Sequence, residues 1–338
     1  MARWKNRPAG SNWGEFGADD QIGRLNLLTP EKRRAALREA TEGIVFTLSL
    51  PLDYPGGSVL SANRHPPRLF AGELAGGGHN YLMPLARYAA EFTDVTNDDR
   101  VMLYTQYSTQ WDALSHMGSL FDADGDGKPE KVFYNGYRAS EHFIAPDAEG
   151  GPRAAALGIE NMAATGVQGR GVLVDLHRIY GREHARVGYD ALMRALDAQK
   201  ASAGAGDLLC LYTGFADVLL EQNRQPDRRV LHKACAALDG TDERLLQWIT
   251  DSGIVAICAD NSAVEVVNPK PRGAHLHAML PLHEHCLFKL GVHLGELWYL
   301  TELAHWLQAH ERNAFLLTAP PLRLPGSVGS PVTPVATV

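Results

Sequence analysis

Between Val101 and Asp112 apolar and polar side chains alternate. Val101, Leu103, Thr105, Tyr107, Thr109 and Trp111 share one parity, and Gln106, Ser108, Gln110 and Asp112 share the other. Successive side chains of a strand point to opposite faces, so the pattern predicts four polar groups on one face and aromatic or β-branched groups on the other. His116 keeps the polar parity if the chain stays extended, although Asp112–Ser115 could equally open a helix. Two amides, a carboxylate and an imidazole projecting together suit a metal shell or an acid–base site. A solvated edge strand would show the same spacing.

Elsewhere helical and extended patterns take turns. Thr29-Pro30-Glu31 reads as an N-cap followed by proline at the first helical position, opening a helix over Lys32–Glu42 that Gly43 ends. Strands are predicted at Ile44–Leu50, Gly171–Leu176, Leu208–Tyr212 and Ile254–Cys258. Helices are predicted at 153–165, Tyr189–Gln199 and Asp242–Thr250, the last with Thr241 as N-cap. This order implies an α/β fold with a partly parallel sheet. Leu282–Leu290 has helical spacing and stops at Gly291. Glu296 is expected to open a helix through His310, with Leu297, Leu300, Ala304 and Leu307 on its buried stripe. Residues 53–80 form a Gly/Pro-rich excursion, either a lid over a site or a mobile loop. Residues 320–338 look too rich in Pro and Gly for regular structure, so this tail is expected to be pinned to the body or disordered. No repeat or linker divides the chain. It reads as one domain over 1–338, with 1–43 as an N-terminal arm and helix.

Composition narrows the partners. The chain has 338 residues, is 45% hydrophobic and 21% charged, and carries a formal net charge of −7. An acidic balance without a Lys/Arg cluster argues against nucleic acid and anionic membrane surfaces. No apolar run approaches the roughly 20 residues a membrane span needs, and no apolar stretch follows the basic start to make a secretory signal. Cys210, Cys235, Cys258 and Cys286 lie far apart, which reads as reduced, buried thiols in a cytoplasmic protein.

Asp122-Ala123-Asp124-Gly125-Asp126-Gly127 matches the first half of a calcium loop. The twelfth position of that frame is Phe133 rather than a bidentate Glu, so a turn with solvated carboxylates is the favoured reading. A structural calcium ion on Asp122, Asp124 and Asp126 is the alternative.

The segment Gln106-x-Ser108-Thr109-Gln110-x-Asp112-x-Leu114-x-His116 keeps the register of the signature H-x-G-T-H-x-D-x-P-x-H. His283-x-x-x-Leu287-x-x-x-Gly291-Val292-x-Leu294-x-Glu296 matches that signature's downstream partner. Asn12-Trp13-Gly14, Asp19-Asp20, Tyr134-Asn135-Gly136, Gly206-Asp207, Asp260 and Val264-Glu265 follow in the same order. Through these pieces, which span nearly the whole chain, the sequence resembles the cyclase family of metal-dependent hydrolases that includes bacterial kynurenine formamidase and isatin hydrolase. The resemblance implies a swivelling β/β/α fold with a barrel-like mixed sheet and peripheral helices, assembled as a homodimer or homotetramer.

It also implies roles. Asp112 and Glu296 would be metal carboxylates, His283 a metal imidazole with His285 as the competing candidate, and His116 the acid–base residue, with Glu296 also counted as catalytic. Gln106 and Gln110 stand where the family has two histidines. An amide oxygen is a poor zinc ligand beside imidazole, so the first of the family's two metal sites is expected to be empty. One divalent ion (manganese, zinc or magnesium) would then be held by Gln110, Asp112, His283 and Glu296. Gln106, Tyr107, Trp111 and the 53–80 excursion are candidates to bind a small-molecule substrate, with Tyr107, Trp111 and the excursion suited to wall an aromatic one. The implied activity is hydrolysis of a cyclic amide, a lactone or an aryl formamide. A cyclase or lyase on the same scaffold, and a binding protein that has lost the metal, are the rival readings.

Overall fold

The computed structural model describes residues 2–267, 270 and 276–338. Nine strands make the main sheet: β1 (Val45–Thr47), β2 (Gln110–Asp112), β3 (Gln168–Asp175), β4 (Leu208–Tyr212), β5 (Ala256–Ala259), β6 (His293–Glu296), β7 (Ala314–Thr318), β8 (Gly329–Pro331) and β9 (Val335–Thr337). Their spatial order is β1-β9-β7-β3-β4-β5-β6-β2-β8. Strands β3 to β6 run parallel, and every pairing outside that block is antiparallel. The sheet is mixed and curled into a half-barrel, as the sequence implied. The main helices are α1 (Pro30–Leu37), α2 (Tyr189–Gln199), α3 (Phe215–Glu221), α4 (Glu243–Ser252) and α5 (Thr301–Ala309). Among the described residues no helix is long and apolar enough to cross a membrane.

The central parallel strands β4 and β5 are apolar throughout because both faces are covered. On one face Val174, Leu209, Leu211, Ile257 and Leu294 belong to a single cluster. On the other, Leu173, Cys210, Tyr212, Cys258, Trp111 and Trp298 belong to a second. All four cysteines are free and buried, as predicted.

Helix α2 and strand β4 have the predicted bounds. Helix α4 is capped by Asp242, whose carboxylate accepts from Arg244 N and Leu245 N, rather than by Thr241. The helix expected over 153–165 is confined to Ile159–Ala164. Three expectations change more. The strand predicted from Val101 breaks into an outlying Asp99–Met102 strand and the short β2, with turns between. Glu296 ends strand β6 instead of opening a helix. Pairing with Gln110 and with the Ala256–Cys258 stretch overrides the helical spacing, Leu297 takes a positive φ of 55°, and α5 begins only at Thr301. The Pro/Gly-rich tail is pinned and supplies β8 and β9, because sheet edges at β2 and β7 give its backbone partners.

The N-terminal arm works as a clamp. Trp13 Nε1 donates to Phe288 O at 2.8 Å, and Asn12 Nδ2 donates to Leu290 O at 2.9 Å. Both carbonyls belong to the π-helix Glu284–Leu290, which continues from His283. Gly23 crosses Gly291 so closely that a Cβ would lie 2.2 Å from Gly291 O. The arm therefore fixes the segment that delivers a predicted metal ligand.

Candidate metal centre

Register brings two of the acidic groups together. On adjacent antiparallel strands Gln110 lies opposite Glu296 and Asp112 opposite Leu294, so Gln110, Asp112 and Glu296 share one face. His283 arrives over that face from the last turn before the π-helix. Asp112, His283 and Glu296 are all buried, and one ligand atom from each lies within 4.8 Å of the others. π-helical turns recur where a side chain must be re-aimed at a functional site.

The hydrogen bonds set the orientation of each group. His283 Nδ1 lies 2.8 Å from Glu265 Oε1, and a carboxylate oxygen can only accept, so Nδ1 carries a proton. The free edge of the ring, Nε2, then faces Glu296 Oε1 at 3.3 Å. Glu265 is itself locked by Leu282 N at 3.1 Å and His283 N at 2.9 Å. Gln110 Nε2 donates to Glu296 Oε2 at 2.9 Å, which leaves the amide oxygen of Gln110 without a partner. Both carboxylate oxygens of Asp112 are also buried and unpartnered.

Three orphan acceptors around one imidazole make an electrostatic demand. Burial raises the pKa of Glu296, and the Asp112 charge raises it further, against the opposing pull of His283. Burial works against a charged His283, but its hydrogen bonds to Glu265 and Glu296 outweigh that and hold it well above the usual imidazole range. The cluster thus gathers positive charge where it can. His116 follows a turn, with His116 N donating to Ala113 O at 2.9 Å, and its Nε2 stands 3.9 Å from Asp112 Oδ1. Burial pushes its pKa below the ordinary value and Asp112 partly restores it, so the ring is a neutral base at pH 7.

The other sequence candidates separate. His285 turns away from the centre to Thr250 Oγ1 at 2.9 Å, which leaves His283 as the facing imidazole. Gln106 and Tyr107 line a cavity beside the centre, with Tyr107 OH donating to Gly57 O at 2.9 Å. Trp111 is corrected. It projects to the opposite face, fully buried, with Nε1 on Ala319 O at 2.8 Å and its ring edge-on to Trp298, so it cannot touch a substrate at the centre. Oxygens of Asp122, Asp124 and Asp126 lie within 4.8 Å of one another, yet Asp122 is engaged by the backbone N–H groups of Gly125, Asp126 and Gly127. Phe133 stacks on Phe143 and offers that loop no ligand. Sequence reasoning assigned no role to Glu265 or Arg64, and only the family-like Val264-Glu265 pair hinted at the first.

A curled mixed sheet with a buried carboxylate–imidazole cluster between two neighbouring strands is the architecture of a cyclase-type α/β protein. The Cyclase family model ("Putative cyclase") matches residues 46–266, and the chain belongs to that family. A solved structure described as a novel cyclase is 33% identical and superposes with a TM-score of 0.75 over 97% of each chain. Isatin hydrolase A from Ralstonia solanacearum shares the fold at 13% identity, with a TM-score of 0.55 over 91% of this chain and 97% of its own. Isatin hydrolase A from Labrenzia aggregata, bound to benzyl benzoate, does so at 12% identity, with a TM-score of 0.54 over 87% and 93%. No curated protein matches the sequence.

Proposed function

We propose that this chain is a metal-dependent hydrolase that opens a cyclic amide or lactone, or cleaves an aryl formamide, with His116 as the acid–base residue. One observation carries the reading. Asp112 Oδ1, Asp112 Oδ2 and Gln110 Oε1 are buried acceptors with no donor, in a cluster where Glu265 holds Nδ1 of His283 and Nε2 of that ring faces Glu296. Acceptors without donors fit a cation, and an unmet buried carboxylate is otherwise costly. Asp112, His283, Glu296 and Gln110 would hold one divalent ion. A shell with more oxygen than nitrogen suits manganese or magnesium, and zinc to a lesser degree. When bound there, such an ion would supply Lewis acidity toward a carbonyl and make water a stronger acid.

The chain's own groups do the rest. Glu265 fixes the His283 ring, Gln110 holds Glu296 in place, and neutral His116 takes a proton and returns it to the leaving nitrogen or oxygen. Exposed apolar side chains between residues 68 and 102 (Leu69, Leu82, Tyr88, Val101 and Met102) support assembly as a homodimer or homotetramer. Elemental analysis of the purified protein tests the centre. About one equivalent of a divalent ion per chain is expected, lost in Asp112→Ala; two equivalents, or none after metal supplementation, would overturn it. Mass spectrometry of a turnover mixture separates hydrolysis, which adds water, from a cyclase or lyase reaction, which conserves mass or loses water.

A further inference from the structure

The cavity beside the metal centre presents donors where the centre presents acceptors. Arg64, Gln106, Tyr107, Ser262 and Leu297 line it, residues of the 55–61 segment close it, and its volume is about 40 Å³, the scale of one small polar group. Leu297 ties it to the centre by directly following Glu296. Gln106 ties it from the other side: a Cβ on Gly329, the strand neighbour of Asp112, would lie 2.2 Å from Gln106 Nε2. Opposed residues on neighbouring strands share a face, so the Gln106 amide lies on the side that carries Asp112.

Two donors there are unmet. Gln106 Nε2 is buried without an acceptor. Arg64 donates one hydrogen bond, to Gln106 O at 2.8 Å, and forms no ion pair among the described residues. A guanidinium carries five N–H donors in a planar fork, so most of its capacity remains. A partly buried cation and an orphan amide N–H facing one cavity ask for acceptor oxygens, and a carboxylate supplies two in the spacing of the fork.

We propose that Arg64 and the Gln106 amide form a carboxylate-recognition subsite, which makes Arg64 the specificity-determining residue and the substrate an anion with its scissile amide or ester a short distance from a carboxylate. The inference rests on the hydrolase reading above and narrows its substrate class. The subsite sits on the 53–80 excursion, which gives that segment a binding role as well as a covering one.

The test uses the metal-loaded, full-length protein and two probe pairs. Unreactive 2-aminobenzoate and its neutral counterpart 2-aminobenzamide report binding by calorimetry, and 2-formamidobenzoate and 2-formamidobenzamide report turnover. Wild-type protein is expected to prefer the carboxylate of each pair by about tenfold to a hundredfold, the worth of a charge-assisted hydrogen bond. Arg64→Ala is expected to erase that ratio and Arg64→Lys to restore part of it, with metal content and circular dichroism matching wild type in both. Equal affinities for 2-aminobenzoate and 2-aminobenzamide in wild type, or a preference that survives in Arg64→Ala, would overturn the subsite. Turnover of both formamides without charge preference would sustain the hydrolase reading and sink the subsite. Carboxylate-selective binding with no turnover of either formamide would sustain the subsite and remove the aryl formamide from the hydrolase reading.

Discussion

Glu265 and His283 form a buried pair in which one carboxylate oxygen accepts both the ring Nδ1–H, at 2.8 Å, and the backbone N–H of the same histidine, at 2.9 Å. This pair decides which edge of the imidazole faces Asp112 and Glu296. Glu265→Gln keeps the size and the burial but can place an NH2 group against N–H donors. Metal affinity is expected to fall about tenfold to a hundredfold, the usual result of losing an outer carboxylate behind a ligating histidine. Folding stability should drop by about 1–3 kcal/mol from the unmet donors. A metal titration with a competing chelator reads the first effect and urea denaturation of the metal-free protein the second. Unchanged metal affinity would mean that Glu265 does not orient the ligand.

His116 is held outside the four-residue shell, 3.9 Å from Asp112, with its side chain 19% exposed. It can therefore be removed without dismantling the centre. His116→Gln should lower kcat by about 10²- to 10⁴-fold, the ordinary contribution of a positioned acid–base group, while metal stoichiometry stays at the wild-type value. Loss of metal together with activity would recast His116 as a ligand.

Two further histidines predict the pH dependence of stability. Burial pushes His293 down to about 4, against the opposing effect of the Asp112 carbonyl that its Nδ1–H meets at 3.1 Å. Burial, then the charge of Lys289, pushes His285 down to about 4 as well. In the unfolded chain both titrate near 6.5. Between those values the unfolded state binds more protons, so the contribution of these two histidines to stability is full above pH 6.5 and declines as pH falls toward 4. The loss should reach a few kcal/mol. His293→Asn removes one titrating group, and its urea midpoint should fall less than that of wild type between pH 7 and pH 4.5. Parallel curves for the two proteins would contradict a neutral, buried His293.

The parts of this fold that were legible in the sequence are those where local pattern and tertiary demand agree. Tyr189–Gln199 has a helical apolar stripe and Leu208–Tyr212 a continuous apolar run, and packing against the sheet confirms both. Glu296 shows the opposite case, because its neighbours carry helical spacing while it pairs with Gln110 and the three residues before it pair with Ala256–Cys258. The order of Gln110, Asp112, His283 and Glu296 was readable by resemblance alone. The choice between His283 and His285 was not, since a π-helix turns its side chains at a different pitch from the assumed α-helix. Arg64 lies in a stretch without periodicity, so its approach to Gln106 exists only once the chain has folded.

Trp111 sets the strand alternation and the finished packing directly against each other. Parity separates Trp111 from Gln110 and Asp112, yet it cannot say that the aromatic face is sealed by α5-side residues rather than opened to a ligand. The ring sits 5.1 Å from that of Trp298, edge to face, with Nε1 bonded to Ala319 O. Trp111→Phe would leave that carbonyl without its donor and open space beside Trp298, at a cost of about 1–4 kcal/mol. KM for any substrate turned over should be unchanged, because the indole and the metal centre lie on opposite faces of the sheet. Denaturation midpoints and Michaelis constants measured on the same preparation separate the two roles. A raised KM at wild-type stability would return Trp111 to the substrate wall.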